Sequence, residues 1–368
     1  MSVAMLCEEL TKANVHTEVF TTTANGPSEL PVGPNTPQLI DGVTVTYFKR
    51  ITKDHTHLSP ALLNAVRNRA KEFDVIHIHA WWNLVSVFAC LLALVKNIPV
   101  IVSPRGTLSP YSFSNKNIGK KGLIHNLLGK RLLQKCHIHA TSQRESDAIH
   151  QLLKPVSVTT IPNFVKLPVT IPNTTQPATD ILNLIFFSRI EEKKGLDILL
   201  ESLKLITVPF KLTIAGNGHQ AYIDHLKAQL TDWEIAAKVI WAGFYNDDKF
   251  DLLGSQDLFI LPSYDENFGN AVIESLSVGT PVLISENVGL ADYVAENKLG
   301  WICQTTAGSI SNAINAIGNN RPALLYIRKN APGIIRQHFS ADKLVQRYIH
   351  FYQQVTTNSV LPLESNDH

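Results

Sequence analysis

The sequence predicts an α/β chain with parallel sheets, arranged in two halves of similar size. Three observations carry this expectation. Short β-branched runs recur along the 368 residues, separated by segments with helical spacing. Such alternation places helices on both faces of a parallel sheet. The stretch "PNFVKLPVTIPNTTQPATDILN", Pro162 to Asn183, is rich in Pro, Thr and Asn, lacks sustained periodicity and reads as a linker. The length suits two domains, and 45% hydrophobic residues supply a core for each. The halves are expected at 1–165 and 178–340, followed by a helix at 341–355 and a flexible tail at 356–368.

The chain opens with "MSVAMLCEEL", a helix with Leu6, Leu10 and Ala13 on one side, and then a strand over Val15–Thr21. No strand precedes that helix, although the leading strand of a doubly wound sheet is normally central. Loss of about five central residues leaves backbone groups on two neighbouring strands unmatched, at about 1–3 kcal/mol for each buried group. Either the true start lies upstream, or this half is damaged. A helix over Pro60–Glu72, a strand over Val75–Ile78, an apolar helix over Leu84–Val95, a strand over Val100–Val102 and a helix over Ile118–Gln134 follow. The apolar helix is too short to cross a bilayer. Beyond the linker, strands are expected at Leu184–Phe187, Lys211–Ile214, Leu258–Leu261 and Val282–Ile284. The last helix carries Leu344, Tyr348, Ile349, Phe351 and Tyr352, an apolar side that needs a surface to cover.

A net charge of +2 argues against a general polyanion binder. Cys7, Cys90, Cys136 and Cys303 lie far apart with no Cys-x-x-Cys pair, which argues against a disulfide framework or a zinc knot and fits a reducing compartment. The N-terminus lacks the basic and apolar blocks of a signal peptide. A cytoplasmic location is expected.

The chemistry concentrates in the second half. In "SYDENFGNAVIESLSVGTPV" (Ser263–Val282), a buried strand ends in a loop and a helix starts near Asn270. Ligands of open α/β sheets bind beyond the carboxyl ends of strands, and a helix N-terminus offers free N–H groups to phosphate. Asn267, Phe268, Gly269 and Asn270 form the turn. Glu274, in the helix, is placed to accept hydrogen bonds from a ribose diol, and Glu266 to hold sugar hydroxyls. The bland reading is a loop acid and a helix-terminal charge. In "SRIEEKKGLDILLESL", Arg189 and Lys194 follow a strand end, where two cations suit a diphosphate leaving group. The bland reading is a solvated loop, since Glu191 and Glu192 are interleaved. "IAGNGH" places Gly216 after a third strand as a weak turn signal, not a dinucleotide fingerprint. "WAGFYNDD" places Gly243 and Phe244 where a base pocket or a buried aromatic would sit.

These motifs resemble the retaining glycosyltransferases of family 4, with the GT-B fold of two Rossmann-like domains facing a cleft. The family's Arg-x4-Lys-Gly matches Arg189 to Gly195, its Glu-x7-Glu matches Glu266 to Glu274, and "IPN" at Ile161–Asn163 matches its domain boundary. The resemblance implies that Arg189 and Lys194 bind the donor diphosphate, Glu274 the ribose and Glu266 the transferred sugar. It implies that the terminal helix crosses back to the first domain. In the first half, "DVIHIHAWW" puts His77 and His79 on one face of a strand end. His77 suits a core histidine, and His79 is the site candidate. Many family members carry a histidine beside the glycine of "VSPRGTLSP"; here Arg105 stands there, able to grip phosphate but not to act as a base. The "PRGTLSP" form resembles the polysaccharide-building branch. The family's glycine-rich loop after its first strand is missing together with that strand.

From Val75 to Arg144 there is no Asp or Glu but nine Lys or Arg. Residues 116–135 combine that charge with apolar spacing, which fits an anionic membrane surface or an ordinary solvated helix. Nucleic acid is disfavoured, because no aromatics are interleaved. The resulting expectation is a metal-independent transferase without cofactor. It takes a nucleotide diphosphate sugar as co-substrate and a glycan or lipid-linked hydroxyl as acceptor. The alternatives are a truncated, non-catalytic remnant that binds nucleotide sugar or membrane, and a sugar-nucleotide epimerase or phosphorylase of the same fold.

Overall fold

The structure, a computed structural model, describes residues 2–52, 54, 56–109, 128–171, 180–245 and 248–358. The chain divides into two compact units. One is Met1–Phe164 together with Ala341–His368, and the other is Val165–Ser340.

The second unit is one six-stranded sheet. Its strands are β10 (Leu182–Phe187), β11 (Phe210–Ala215), β12 (Val239–Gly243), β13 (Leu258–Leu261), β14 (Val282–Ser285) and β15 (Gly300–Cys303). They lie in the order β12-β11-β10-β13-β14-β15, every pair parallel. β13 and β14 are buried along their whole length, as near-continuous apolar runs in a doubly covered sheet require. Leu184, Phe259, Val272 and Ile314 belong to a single core. The strand order reverses at β10. This is the switch point where α/β sheets hold ligands, and the two richest motifs of the sequence follow β10 and β13.

The first unit is split. One sheet holds β1 (Glu18–Thr22), β5 (Val43–Phe48) and β4 (Pro37–Ile40), in the order β1-β5-β4. A two-residue ribbon, β2 (Ala24–Asn25) with β3 (Ser28–Glu29), stands apart. A second sheet holds β6 (Ile76–His79), β7 (Val100–Ser103), β8 (His137–Ala140) and β9 (Ser157–Thr160), in the order β6-β7-β8-β9, all parallel. The expected absence of a central strand thus has a physical counterpart: β1 and β6 pair on one side only among the described residues.

Helices α1 (Ser2–Lys12), α2 (Pro60–Arg69), α3 (Leu84–Val95), α4 (Lys130–Leu133) and α5 (Gln143–Leu152) cover these sheets. Three of them start where a side chain takes an orphan N–H. Ser59 accepts from Leu62, Asn83 from Ser86 and Ser142 from Glu145. The helices of the second unit are α6 (Leu196–Ser202), α7 (Gln220–Asp232), α8 (Lys249–Gly254), α9 (Asn270–Ser277), α10 (Ala291–Glu296), α11 (Ala307–Gly318) and α12 (Arg321–Phe339).

The last helix, α13 (Ala341–Asn358), belongs to the first unit and buries Leu344, Tyr348 and Phe351 with Leu6, Leu10, Ile101 and Phe164. It runs further than the expected end at 355. The hydroxyls of Thr356 and Thr357 donate back to the Tyr352 and Gln353 carbonyls, which lengthens the last turn. Most of the basic stretch 116–135, including the greater part of the helix expected over 118–134, lies outside the described residues; α4 is its described part.

Candidate active site

Beyond β10 and β13 the chain folds into two loops that lock together. The loop after β10 places Lys194 against the loop after β13, where its ammonium forms an ion pair with Glu266. Lys193 pairs with Asp265 at 2.9 Å, and the Tyr264 N–H donates to the Lys193 carbonyl at 2.9 Å. The Tyr264 hydroxyl donates to Asp197 at 3.1 Å.

This closeness depends on Gly195, which adopts φ +70°; a Cβ there would lie 2.1 Å from the Pro262 carbonyl oxygen. Only glycine fits both the left-handed backbone and the approach. Gly269, at φ +97°, turns the second loop into α9. No side-chain hydrogen bond caps that helix end, and the N-terminus of a helix carries the positive end of its dipole. Glu266 is further fixed by backbone: its N–H donates to the Asn287 carbonyl at 3.1 Å, and its carbonyl accepts from Gly289 at 2.8 Å.

Eight residues after Glu266, Glu274 is buried inside α9 and is met by Lys249 of α8 at 2.7 Å. Burial holds its carboxyl above the ordinary carboxylate range, although Lys249 pulls in the opposite direction. Arg189 lies on the surface, 72% exposed, and pairs with Glu191 at 2.6 Å. The Gly216 N–H donates to the Gly243 carbonyl at 2.7 Å, joining the ends of β11 and β12. Phe244 is 68% exposed.

The first unit carries its own polar cluster at the carboxyl ends of β6 and β7. The rings of His77 and His79 lie 4.2 Å apart, as alternation along one strand face requires. His77 bonds Ser103 at 2.7 Å and Tyr352 of α13 at 2.9 Å. Ser103 continues to His139 at 2.6 Å. His139 reaches the Ile161 carbonyl at 2.8 Å and Tyr348 at 3.1 Å. Burial, then the neighbouring positive and imidazole groups, hold His77 and His79 well below the ordinary histidine value. Burial takes His139 down to about 3.

Arg105, at φ +53°, donates through Nε to His79 Nδ1 at 3.3 Å and through Nη1 to Asn163 at 2.9 Å. Its Nη2 is buried without a hydrogen-bond partner. The next residue, Gly106, gives its N–H to the buried Glu145, which also takes the N–H and hydroxyl of Thr141. Glu145 thereby fixes the loop that carries Arg105.

Two family profiles divide this chain between them. "Glycosyl transferases group 1" matches residues 171–333, and "Glycosyltransferase Family 4" matches residues 1–167. The chain belongs to glycosyltransferase family 4. The amylovoran biosynthesis glycosyltransferase AmsK of Erwinia amylovora is 26% identical over 180 residues, which cover 45% of this chain and 44% of that protein. The chain spans about half the length of the first curated relatives it matches.

Among solved structures, the sucrose-phosphate synthase of Thermosynechococcus elongatus superposes with a TM-score of 0.78 at 17% identity, covering 97% of this chain and 93% of the other. The Anabaena protein Alr3699/HepE, solved with UDP and glucose, gives a TM-score of 0.70 at 20% identity over 92% and 100% of the two chains. The GT-B fold expected from the motifs is the fold these neighbours share.

Of the residues expected to act together, Lys194, Glu266 and Gly269 lie at one place; a Cβ on Gly269 would come within 3.6 Å of the Glu266 side chain. Arg189, Gly216 and Gly243 share the neighbouring strand ends, since a Cβ on Gly216 would lie 3.7 Å from the Arg189 nitrogen. The ring of Phe268 is 2% exposed and packs edge-on to Phe339, so only its backbone remains for a ligand. Asn267 and Asn270 flank Gly269 on the turn into α9. Sequence reasoning missed Lys249 and Glu145, which reach Glu274 and Gly106 from elements remote in sequence, and it read Asn163 only as part of the boundary phrase "IPN".

Proposed function

We propose that this family 4 member is a retaining glycosyltransferase that moves a sugar from a nucleotide diphosphate sugar to a glycan hydroxyl in polysaccharide or surface-glycan synthesis. The meeting of Lys194 with Glu266 beside the uncapped start of α9 carries the reading. In sugar transfer the bond between the anomeric carbon and the diphosphate breaks, and negative charge grows on the leaving phosphate. A fixed ammonium and oriented helix N–H groups stabilise that charge in advance. Arg189, on an exposed side chain, joins them by swinging from Glu191 to the phosphate. Glu266 accepts from hydroxyls of the transferred sugar, and Glu274 from the ribose. The acceptor proton passes to the departing phosphate, and the anomeric configuration is retained.

The likeness to an Anabaena protein solved with UDP and glucose, and to an enzyme of amylovoran biosynthesis, supports the donor and the product class. Acceptor-side roles for His79 and Arg105, a lipid-linked acceptor, a cytoplasmic site of action and independence of metal belong to the same proposal. Lys194→Ala tests it. Turnover should fall at least 100-fold, with little change in acceptor binding, and undiminished turnover would refute the role. Turnover should also survive EDTA.

The split sheet of the first unit favours a second reading, a chain that binds nucleotide sugar without turning it over. Calorimetry with UDP- and GDP-sugars beside a turnover assay separates the two.

A further inference from the structure

Lys249 opens α8, which follows β12, and Glu274 lies in α9, which follows β13. The Lys249 ammonium donates to Glu274 Oε1 at 2.7 Å, and both residues are buried. We propose that this pair reads a vicinal diol, with Glu274 Oε2 accepting from one hydroxyl and the Lys249 ammonium donating to the oxygen of its neighbour. The diol is the ribose of the donor nucleotide. That identity rests on the proposed transferase reading, which gives the ribose to Glu274; Lys249 enters as a second, specificity-determining contact.

Three features make the pair a binding element rather than a structural brace. The first is the state of its carboxylate, for which Glu145 supplies the standard within the same chain. Glu145 and Glu274 are equally buried, at 6% and 7% exposed. Glu145 takes three donors: the Gly106 N–H at 2.7 Å, the Thr141 N–H at 2.8 Å and the Thr141 hydroxyl at 2.9 Å. Among the described residues the Glu274 side chain takes one, the Lys249 ammonium, and all of it falls on Oε1. A buried carboxylate that serves only the fold is saturated by protein groups, because its unfilled oxygens cost free energy. Glu274 keeps Oε2 for a donor that the protein does not supply.

The second is the state of the cation. At the far end of α8, Arg328 places its two terminal nitrogens on the Gly254 and Gln256 carbonyls, as a structural cation does. Lys249, at the near end, spends one of its three N–H donors on Glu274 and bonds no other acceptor among the described residues. The Phe250 ring, 5.0 Å from the ammonium, holds the charge without using a donor. The two side chains keep 11% and 10% of their surface exposed, so both reach solvent through a narrow opening.

The third is the kind of ligand that such a pair fits. Its charges cancel, and it offers spare donors beside a spare acceptor. A hydroxyl both gives and takes a hydrogen bond, so two adjacent hydroxyls match it. A phosphate only accepts, and Glu274 would face it with like charge. The position agrees. Glu274 is four residues into α9, about 6 Å along the axis from the helix start, and that start lies beside Glu266 and Lys194. A diphosphate at the helix start therefore carries its ribose towards the pair.

The test is calorimetry on the full chain with UDP and GDP, and then with the 2′-deoxy and 3′-deoxy forms of whichever binds more tightly. Loss of either hydroxyl should weaken binding to the wild-type chain about tenfold or more, because each is bonded to a charged group. In Lys249→Met one of the two penalties should shrink to about twofold or less while the other persists, as a cycle between one side chain and one ligand group requires. A melting curve checks that the variant is folded, and the wild-type comparison stands without it. Indifference of the wild-type chain to either hydroxyl overturns the proposal and leaves the transferase reading untouched. Two unchanged penalties in Lys249→Met overturn it as well. So does the loss of both, which would make Lys249 a prop for Glu274 and no contact of its own. Binding of neither UDP nor GDP to the wild-type chain would remove the donor site itself, and the proposal with it.

Discussion

Lys194 meets Glu266 because glycine lets two loops close on each other, so the site can be disturbed without touching its charges. Gly195→Ala must place a methyl group within 2.1 Å of the Pro262 carbonyl in a left-handed backbone. The backbone conformation alone costs about 1–2 kcal/mol, and the clash adds to it. We expect the melting temperature to drop by several degrees and turnover to fall with it, measured by calorimetry and assay on one preparation.

Lys249 makes a sharper case. It neutralises Glu274 inside α9. Lys249→Met leaves a buried carboxylate alone, and breaking such a pair costs about 3–5 kcal/mol. Burial already raises the Glu274 pKa, and without Lys249 it rises further. A raised carboxyl pKa means that the folded state holds its proton longer than the unfolded state, so stability is lost as pH rises through the folded value. The deficit of Lys249→Met should thus be larger at pH 7 than at pH 4 in urea unfolding. An equal deficit at both would show that Glu274 does not carry it.

At the scale of elements, the strands were legible where they are buried on both faces. The runs at 258–261 and 282–284 announce β13 and β14 because a doubly covered strand is apolar throughout. β8, "HIHA", was missed because it holds a single β-branched residue, Ile138, whereas the expected run Val75–Ile78 holds three. The polarity of its two histidines is satisfied by partners on other elements, Ser157 for His137 and Ser103 with Ile161 for His139. The Glu-x7-Glu and Arg-x4-Lys-Gly spacings were legible because each lies in one loop or helix. Lys249 was not, because its contact is set by the packing of α8 on α9.

The histidine network that ties β6, β7 and β8 to α13 makes a prediction at this scale. His77, His79 and His139 are depressed in the fold, the last to about 3, against an ordinary value of 6.5. Below about pH 6.5 the unfolded chain takes up protons that the fold refuses. Stability of the first unit is therefore fully present above that pH and is lost as pH falls towards 3, by up to about 1.4 kcal/mol per histidine per unit. The urea midpoint of the first unit should fall steadily from pH 7 to pH 5. A flat profile would mean that these rings titrate alike in the folded and the unfolded chain.

At the scale of the molecule, the chain's last helix completes its first unit. Leu344, Val345, Tyr348, Phe351 and Val355 of α13 are each at most 5% exposed, in a core shared with Leu6, Ile101 and Phe164. Burying a large apolar side chain contributes about 1.5–3 kcal/mol, so five such side chains rival the 5–15 kcal/mol that hold a whole domain folded. The second unit has a separate core, in which none of these residues takes part. Ending the chain at Ser340 should therefore unfold the first unit and spare the second. Hydrogen exchange of the truncated chain should show β6 and β7 at the rate of an unfolded chain while β13 and β14 keep their protection. Calorimetry should lose one transition and keep the other. The Lys194–Glu266 pair lies wholly within the surviving unit, so nucleotide-sugar binding should persist after turnover is gone. Loss of protection in β13 together with β6 would show that the two cores fold as one.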